Sequence, residues 1–516
     1  MTAHATSDAT ARRSSSAAGR AAVVTGTLSV LLIAGTALIG PSAAVPPAGP
    51  RTWAPPWNLT LHPSSALVTG LLWVAAAFGA ACVALGLRAH AAGARPRARR
   101  VAAAALVAVA LLVAVPPLGS ADHLSYVAYG RIAAQGDDPY TVIPRTWRGG
   151  TDPVAGAVRP PWQDTPSVYG PVATGVMAAA SLVAGSSLRL TIWLWQLVCA
   201  ASFLAVALLL DRAARGDPAV RARAAVLWTL NPLLLWQLVL GAHVDVLAAA
   251  LALGALVAGA RRPLLAGVLL GAATGTKAPS ALVALGLLWG LREMPRAAGV
   301  RAALLGLAGA LAVLVPSHLA AGPHVFDQLR TASRFTSIAS PWRALANLAD
   351  LLVAPGALRP YVTGLALALG LGLGVLLVRR RLLPAAHASP ESPDLGVPRP
   401  VAAVAVAMAA GWLLTAPYAL PWYAALAWAP LALVPATFLD QALLAQLSVL
   451  TVAYVPGLVT GLDPGVQTVT LALRRYLAPL LLAAVVVAVV GWCLLPRSGG
   501  GLPASRTTDA DRPRPA

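Results

Sequence analysis

Residues 101–131 read VAAAALVAVALLVAVPPLGSADHLSYVAYGR. Val101 to Val115 is wholly alanine, leucine and valine, and a carboxylate, Asp122, follows at its lip. An apolar run of this kind reads as a membrane helix, since about 20 such residues cross a hydrocarbon core. An acid at the end of such a span is costly unless something uses it. The fold and the best candidate for chemistry are therefore read from one stretch.

Similar runs recur from end to end. Of the 516 residues 58% are hydrophobic and 11% charged, which excludes an ordinary soluble domain. We expect an all-α polytopic membrane protein, a bundle of about 13 transmembrane helices with a large first extracytoplasmic loop. The formal net charge of +20 sits in short loops and tails. That pattern signals topology and gives no reason to expect a nucleic-acid partner. Cys82, Cys199 and Cys493 all fall inside apolar runs, with neither a disulfide framework nor metal spacing.

Arginines orient the bundle, because basic residues in short loops stay on the cytoplasmic side. Inner loops are marked by Arg88 to Arg100, Arg212 to Arg223, Arg261 with Arg262, Arg292 to Arg301, and Arg379 to Arg381. The division expected is a cytoplasmic N-terminal tail, 1–20, a transmembrane domain, 21–495, and a disordered cytoplasmic tail, 496–516, rich in Pro, Ser and charge. Residues 21–39 resemble a signal peptide but are long, so we read them as an uncleaved first span. Outer loops fall at about 118–171 and 320–360, with a tight third link at 415–423. They hold most of the polar and aromatic variety, and Asp122 falls on this extracytoplasmic face. Two apolar pieces do not fit as full spans. Residues 172–184 are short enough to re-enter, and 264–291 is broken by Gly275-Thr276-Lys277-Ala278-Pro279-Ser280. Irregular backbone at membrane depth survives where it lines a cavity or is buried in protein.

Three signals carry chemistry. Ser125, Tyr129 and Arg131 follow Asp122 at helical spacing, so a short interfacial helix is expected there. A carboxylate against apolar surface has its pKa raised, which suits a general base; the plainer reading is an acid capping a helix. His243 and Asp245 lie at a turn assigned to the same face, and suit a sugar hydroxyl or a proton better than a metal, for which two ligands are too few. Lys277 is the only lysine among 38 basic side chains. At a break between half-helices a compact ammonium can neutralise a phosphate, aided by the N-terminal amides of a helix opening near Pro279. The plainer reading is a lysine reaching to the interface. There is no Walker loop and no dinucleotide fingerprint, so a phosphate-bearing substrate on this face would be lipid-linked.

These residues resemble those of GT-C glycosyltransferases, most closely the polyprenol-phosphate-mannose-dependent α-1,6-mannosyltransferases of actinobacterial lipomannan synthesis in the cell envelope. The similar segments are Asp122 to Arg131 with Gly136 to Tyr140, Tyr169-Gly170-Pro171, Asn231-Pro232-Leu233-Leu234-Leu235, Gly241 to Asp245, Lys277-Ala278-Pro279 and Pro421-Trp422-Tyr423. The resemblance implies a GT-C-like bundle in which Asp122 is the catalytic base of an inverting transfer. A polyprenyl-phosphate sugar would be the donor and a lipid-linked glycan the acceptor. Substrate contacts would then come from His123, Tyr126, Arg131, Asp138, Tyr140, Tyr169, His243, Asp245, Lys277, Arg334 and Trp422. No cofactor is required, no metal ligand is assigned, and there is room for a divalent cation. One departure is Val244, where the resemblance leads us to expect asparagine. The rival classes are a lipid or solute transporter, which often carries paired repeats that are not found here, and a non-catalytic membrane partner of envelope assembly.

Overall fold

The computed structural model describes residues 2–353, 359–389, 395–457 and 461–496, with side chains from residue 16 onward. The described residues are helical, with a single isolated bridge between Ser42 and Val45. Seven helices are long and apolar enough to cross a membrane: Ser16–Ile39, Ser65–Ala91, Leu188–Ala213, Pro218–Leu240, Arg296–Ala321, Tyr361–Ala388 and Pro464–Leu494. Four shorter apolar helices accompany them: Pro171–Ala184, Pro263–Thr276, Arg399–Thr415 and Phe438–Ala453. This all-helical membrane architecture agrees with the expectation; about 13 spans is a finer count than these helices fix.

Local chemistry sets the boundaries. Ser64 and Ser187 cap the helices that follow them, accepting from the amides of Leu67 and Leu190 at 3.3 Å. Asp217 does the same for the helix opening at Pro218, where proline costs nothing because a first-turn amide has no helical partner. Pro232 interrupts that helix midway, and Asn231 Oδ1 accepts from Leu233 and Leu234 to repair the break. The helix is central: Trp228 and Trp236 are fully buried, together with Trp195 and Trp428 of its neighbours.

Three expectations need correction. The helix after the apolar run is present, Asp122–Ala134, but it is enclosed by protein rather than lying exposed on the surface. Residues 123 to 130 are all buried in protein, because Gly130 lets it press on the Met177 backbone of Pro171–Ala184. Arg223 is not a loop marker in solvent. It is 3% exposed and makes paired 2.6 Å hydrogen bonds to Asp440, and a buried cation is tolerable only with such a partner. Finally, the break at Gly275 to Ser280 exists, but a 3-10 segment, Ala278–Val283, follows it, and the α-helix starts only at Ala284. Fewer aligned amides than expected therefore face the break.

Other expectations are met in part. The loop at 118–171 carries the Asp122 helix and three 3-10 turns, and the loop at 320–360 carries His324–Ser333 and Pro341–Ala349. The helix Thr2–Ile39 runs through the expected N-terminal tail. The expected C-terminal tail, beyond residue 496, lies outside the described residues.

Glycines position the site. A Cβ on Gly267 would overlap the Gly306 carbonyl, and one on Gly170 would overlap the Gly275 backbone. The first approach packs Pro263–Thr276 against Arg296–Ala321. The second joins the end of the large loop to the helix break, where the Gly170 amide donates to the Thr276 carbonyl at 3.3 Å. Tyr169 and Lys277 are thereby neighbours although 108 residues apart in the chain.

Candidate active site

A cavity of about 630 Å³ opens where these elements meet. Asp122, Ser125 and Tyr129 enter it from one helix, Tyr169 from the large loop, Lys277 from the helix break, and Trp422 with Tyr423 from the short turn Pro421–Ala424. Much of the remaining lining is apolar, including Leu282, Leu285, Phe326, Leu329 and Leu367. A mostly apolar lining with a few polar groups suits an amphiphile, the polar groups fixing its orientation.

Asp122 is the first residue of its helix, and its amide donates to Ser120 Oγ at 2.9 Å. Burial pushes its carboxyl pKa up to about 6, with the nearby Asp245 adding and Ser120, Lys277 and Trp162 opposing. Its Oδ2 stands 4.0 Å from His243 Nε2. A carboxylate raised to this range can hold a proton and release it near neutral pH.

Lys277 is not a free point charge. Its ammonium is hydrogen-bonded to Asp245 Oδ1 and lies 3.5 Å from the centre of the Tyr423 ring. Asp245 opens the helix Asp245–Ala258, whose N-terminal amides favour its charge. The sequence treats the two as separate contacts, but the fold makes them one ion pair with Lys277 toward the cavity. Trp422 also lines the cavity, and one of its faces stacks on His243, centroids 3.6 Å apart and planes 10° from parallel.

The predicted residues thus divide. Asp122, Tyr169, Lys277 and Trp422 share the cavity wall. His243, Asp245 and Tyr126 form a layer behind it, with Tyr126 packed on Tyr169 at 4.9 Å and on Trp195. His123 is buried beside this layer and does not reach the cavity. Arg131, Asp138, Tyr140 and Arg334 do not line the cavity. Arg131 is tied to Asp152 at 3.2 Å and to the Gly185 carbonyl, holding the loop. Asp138 accepts from the Tyr140 amide within its own turn. Tyr140 pairs its hydroxyl with Thr174 at 3.0 Å. Arg334 caps the end of His324–Ser333 and is exposed. Among the described residues no three His, Cys, Asp or Glu come together as a metal site. Sequence reasoning left out Tyr423, Trp162 and His318, all on the cavity wall. Tyr423 stood within a quoted motif; nothing local distinguishes the other two.

The class of protein defined by this fold and site is a polytopic helical membrane protein with an amphiphile-sized cavity that holds one acid and one lysine. The chain belongs to the alpha-(1->6)-mannopyranosyltransferase family: the model for that family's N-terminal domain matches residues 23–293, which contain Asp122, His243, Asp245 and Lys277. It is 34% identical over 151 residues to a chain described as "Probable alpha-(1->6)-mannopyranosyltransferase" from Mycolicibacterium smegmatis, covering 29% of this chain and 26% of that one. It is 30% identical over 135 residues to alpha-(1->6)-mannopyranosyltransferase B of Corynebacterium glutamicum, 26% and 22% of the two chains. A third relative, from Mycobacterium tuberculosis, is 29% identical over 136 residues, 26% and 23% of the two chains. The matched stretches span about a quarter of these relatives' lengths. No solved structure matches the chain.

Proposed function

We propose that this protein is a membrane glycosyltransferase that moves mannose from a polyprenyl-phosphate donor to a growing lipid-linked glycan, forming an α-(1→6) bond on the extracytoplasmic face. The observation that supports the reading is that one cavity is lined by Asp122 and Lys277 together with many apolar side chains. The relatives' names support the sugar and linkage, and the arginine distribution supports the face.

The donor's chain lies along Leu282, Leu285, Phe326 and Leu329, with its phosphate at Lys277. The sugar sits against the faces of Trp422 and Tyr423, and the acceptor's hydroxyl points to Asp122. Asp122 takes the hydroxyl proton as the oxygen bonds to the anomeric carbon. The bond from that carbon to the phosphate oxygen breaks, and its electron pair leaves with the phosphate. Attack from the face opposite the leaving group inverts the centre, so an α product requires a β-linked donor. Fixed cations help most where charge develops on the leaving group. The hydrogen bond to Asp245 holds the Lys277 side chain in place for this role. The scheme needs no cofactor and leaves room for a divalent cation.

The test is purified protein in nanodiscs with labelled polyprenyl-phosphate mannose and a synthetic α-(1→6)-mannoside acceptor. Asp122→Asn should reduce transfer by about 10²–10⁴-fold, the range for losing a general base, with folding intact. Transfer near the wild-type rate removes Asp122 from the mechanism. Movement of the lipid-linked sugar across vesicles without any transfer by the wild-type protein selects the transporter reading instead.

A further inference from the structure

His243 has no role in the scheme above, yet its surroundings are built with care. The Gly241 amide donates to the Trp236 carbonyl at 2.7 Å, and Ala242 takes a positive φ of 53°. This turn folds the His243 ring back over its own helix, with Nδ1 2.5 Å from the Gln237 carbonyl oxygen. A carbonyl oxygen only accepts, so Nδ1 carries the hydrogen and Nε2 carries a lone pair. The Trp422 face prevents the ring from tilting. The residue is 1% exposed, and Nε2 has no hydrogen-bond partner. It faces Asp122 Oδ2 at 4.0 Å.

A buried acceptor without a donor is costly, and ionised Asp122 has no hydrogen to give. Once Asp122 takes a proton it becomes an O–H donor, and rotation of its carboxyl brings that O–H within hydrogen-bond reach of Nε2, about 2.7 Å. We propose that His243 is a positioning residue for Asp122: its Nε2 accepts the hydrogen bond of the carboxylic acid that forms during transfer. The proposal rests on the reading of Asp122 as the base. The proton arrives on the carboxyl oxygen that meets the acceptor hydroxyl, and rotation about the Cβ–Cγ bond then turns that O–H toward His243 Nε2. The proton stays on Asp122. Burial holds the His243 pKa down to about 3, so an imidazolium is not formed.

Other titratable groups surround this pair, and His318 lines the same cavity. His123 on the same helix is held down to about 3 by burial. Asp245 and Lys277 hold each other. The phenols of Tyr126, Tyr129, Tyr169 and Tyr423 are pushed up by burial and stay neutral.

His243→Phe keeps a flat ring against Trp422 and removes Nε2. We expect kcat to fall with the donor KM unchanged. The acid limb of the pH–rate profile should move down by about half to one pH unit, because the protonated form loses a hydrogen bond. A profile and kcat matching wild type would reduce His243 to packing and overturn the proposal. Should that variant fail to fold, since it strands the Gln237 carbonyl, nitrogen-15 spectra of imidazole-labelled protein in membranes give the answer without it. Wild type should show a histidine with protonated Nδ1 and bare Nε2. Asp122→Asn, which offers an amide N–H, should shift that bare nitrogen toward the hydrogen-bonded value. A His243 with protonated Nε2, or a bare nitrogen indifferent to Asp122→Asn, overturns the proposal. The spectra do not depend on turnover, so a wild-type protein that transfers nothing sinks the enzyme reading separately.

Discussion

Replacing Lys277 by methionine should do two different kinds of damage, and the structure says how to separate them. Asp245 is the drier partner, with its side chain 5% exposed against 17% for Lys277, and its Oδ2 already lacks a partner. Removing the lysine therefore strands a buried carboxylate, a loss of about 3–5 kcal/mol when a buried pair is broken. Removing the aspartate instead strands a lysine that still reaches the cavity, so Asp245→Asn should destabilise less. Separately, losing one charge-assisted contact to the donor phosphate costs about 1.5–3 kcal/mol, or roughly ten- to a hundred-fold in donor use. The double variant Lys277→Met with Asp245→Asn removes the stranded charge. It should recover most of the thermal stability and none of the donor use. Thermal unfolding in nanodiscs followed by tryptophan fluorescence reads the first quantity, and transfer rates at varied donor read the second. Equal destabilisation by the two single variants would refute the burial argument. An unchanged donor KM in Lys277→Met would refute the phosphate role and leave the lysine as a purely structural ion.

Three further outcomes are expected. Transfer should rise with pH through about 6, because Asp122 acts only when ionised and burial raises its carboxyl to that value; a limb near 4, the ordinary carboxylate range, would contradict this. Gly170→Ala should lose about 1–3 kcal/mol of stability by forcing apart the loop and the helix break, together with most activity; an unaltered melting curve would contradict the close approach. Arg334→Ala should leave transfer within about twofold, because the side chain is exposed and off the cavity; a large loss measured in the same assay would return it to the site.

The sequence makes some parts of this site legible and hides others for physical reasons. Apolar runs and the break at Lys277 read directly, because crossing a membrane demands a characteristic length and composition. Asp122 stands out for the same reason, as a charge at a costly place. The pairing of Lys277 with Asp245 does not read, because it depends on how Pro263–Thr276 packs beside Asp245–Ala258, and no spacing encodes that. Arg131 and Tyr140 are hard to sort by sequence, because a loop that must be held rigid uses the same residue types as one that binds sugar. Tyr140 is spent on Thr174 and Arg131 on Asp152. Burial of the Asp122 helix on all sides is likewise invisible, since it comes from Gly130 and its contact with Met177.

The most direct measurement is a cryo-electron microscopy map of the Asp122→Asn protein in nanodiscs with polyprenyl-phosphate mannose, the substitution serving to stall transfer. The prediction is donor density in the cavity, its phosphate about 2.7–3.2 Å from Lys277 Nζ, its prenyl chain along Phe326 and Leu329, and its sugar between Trp422 and position 122. Density for the phosphate elsewhere, with the cavity beside Lys277 filled only by bilayer lipid, would contradict it.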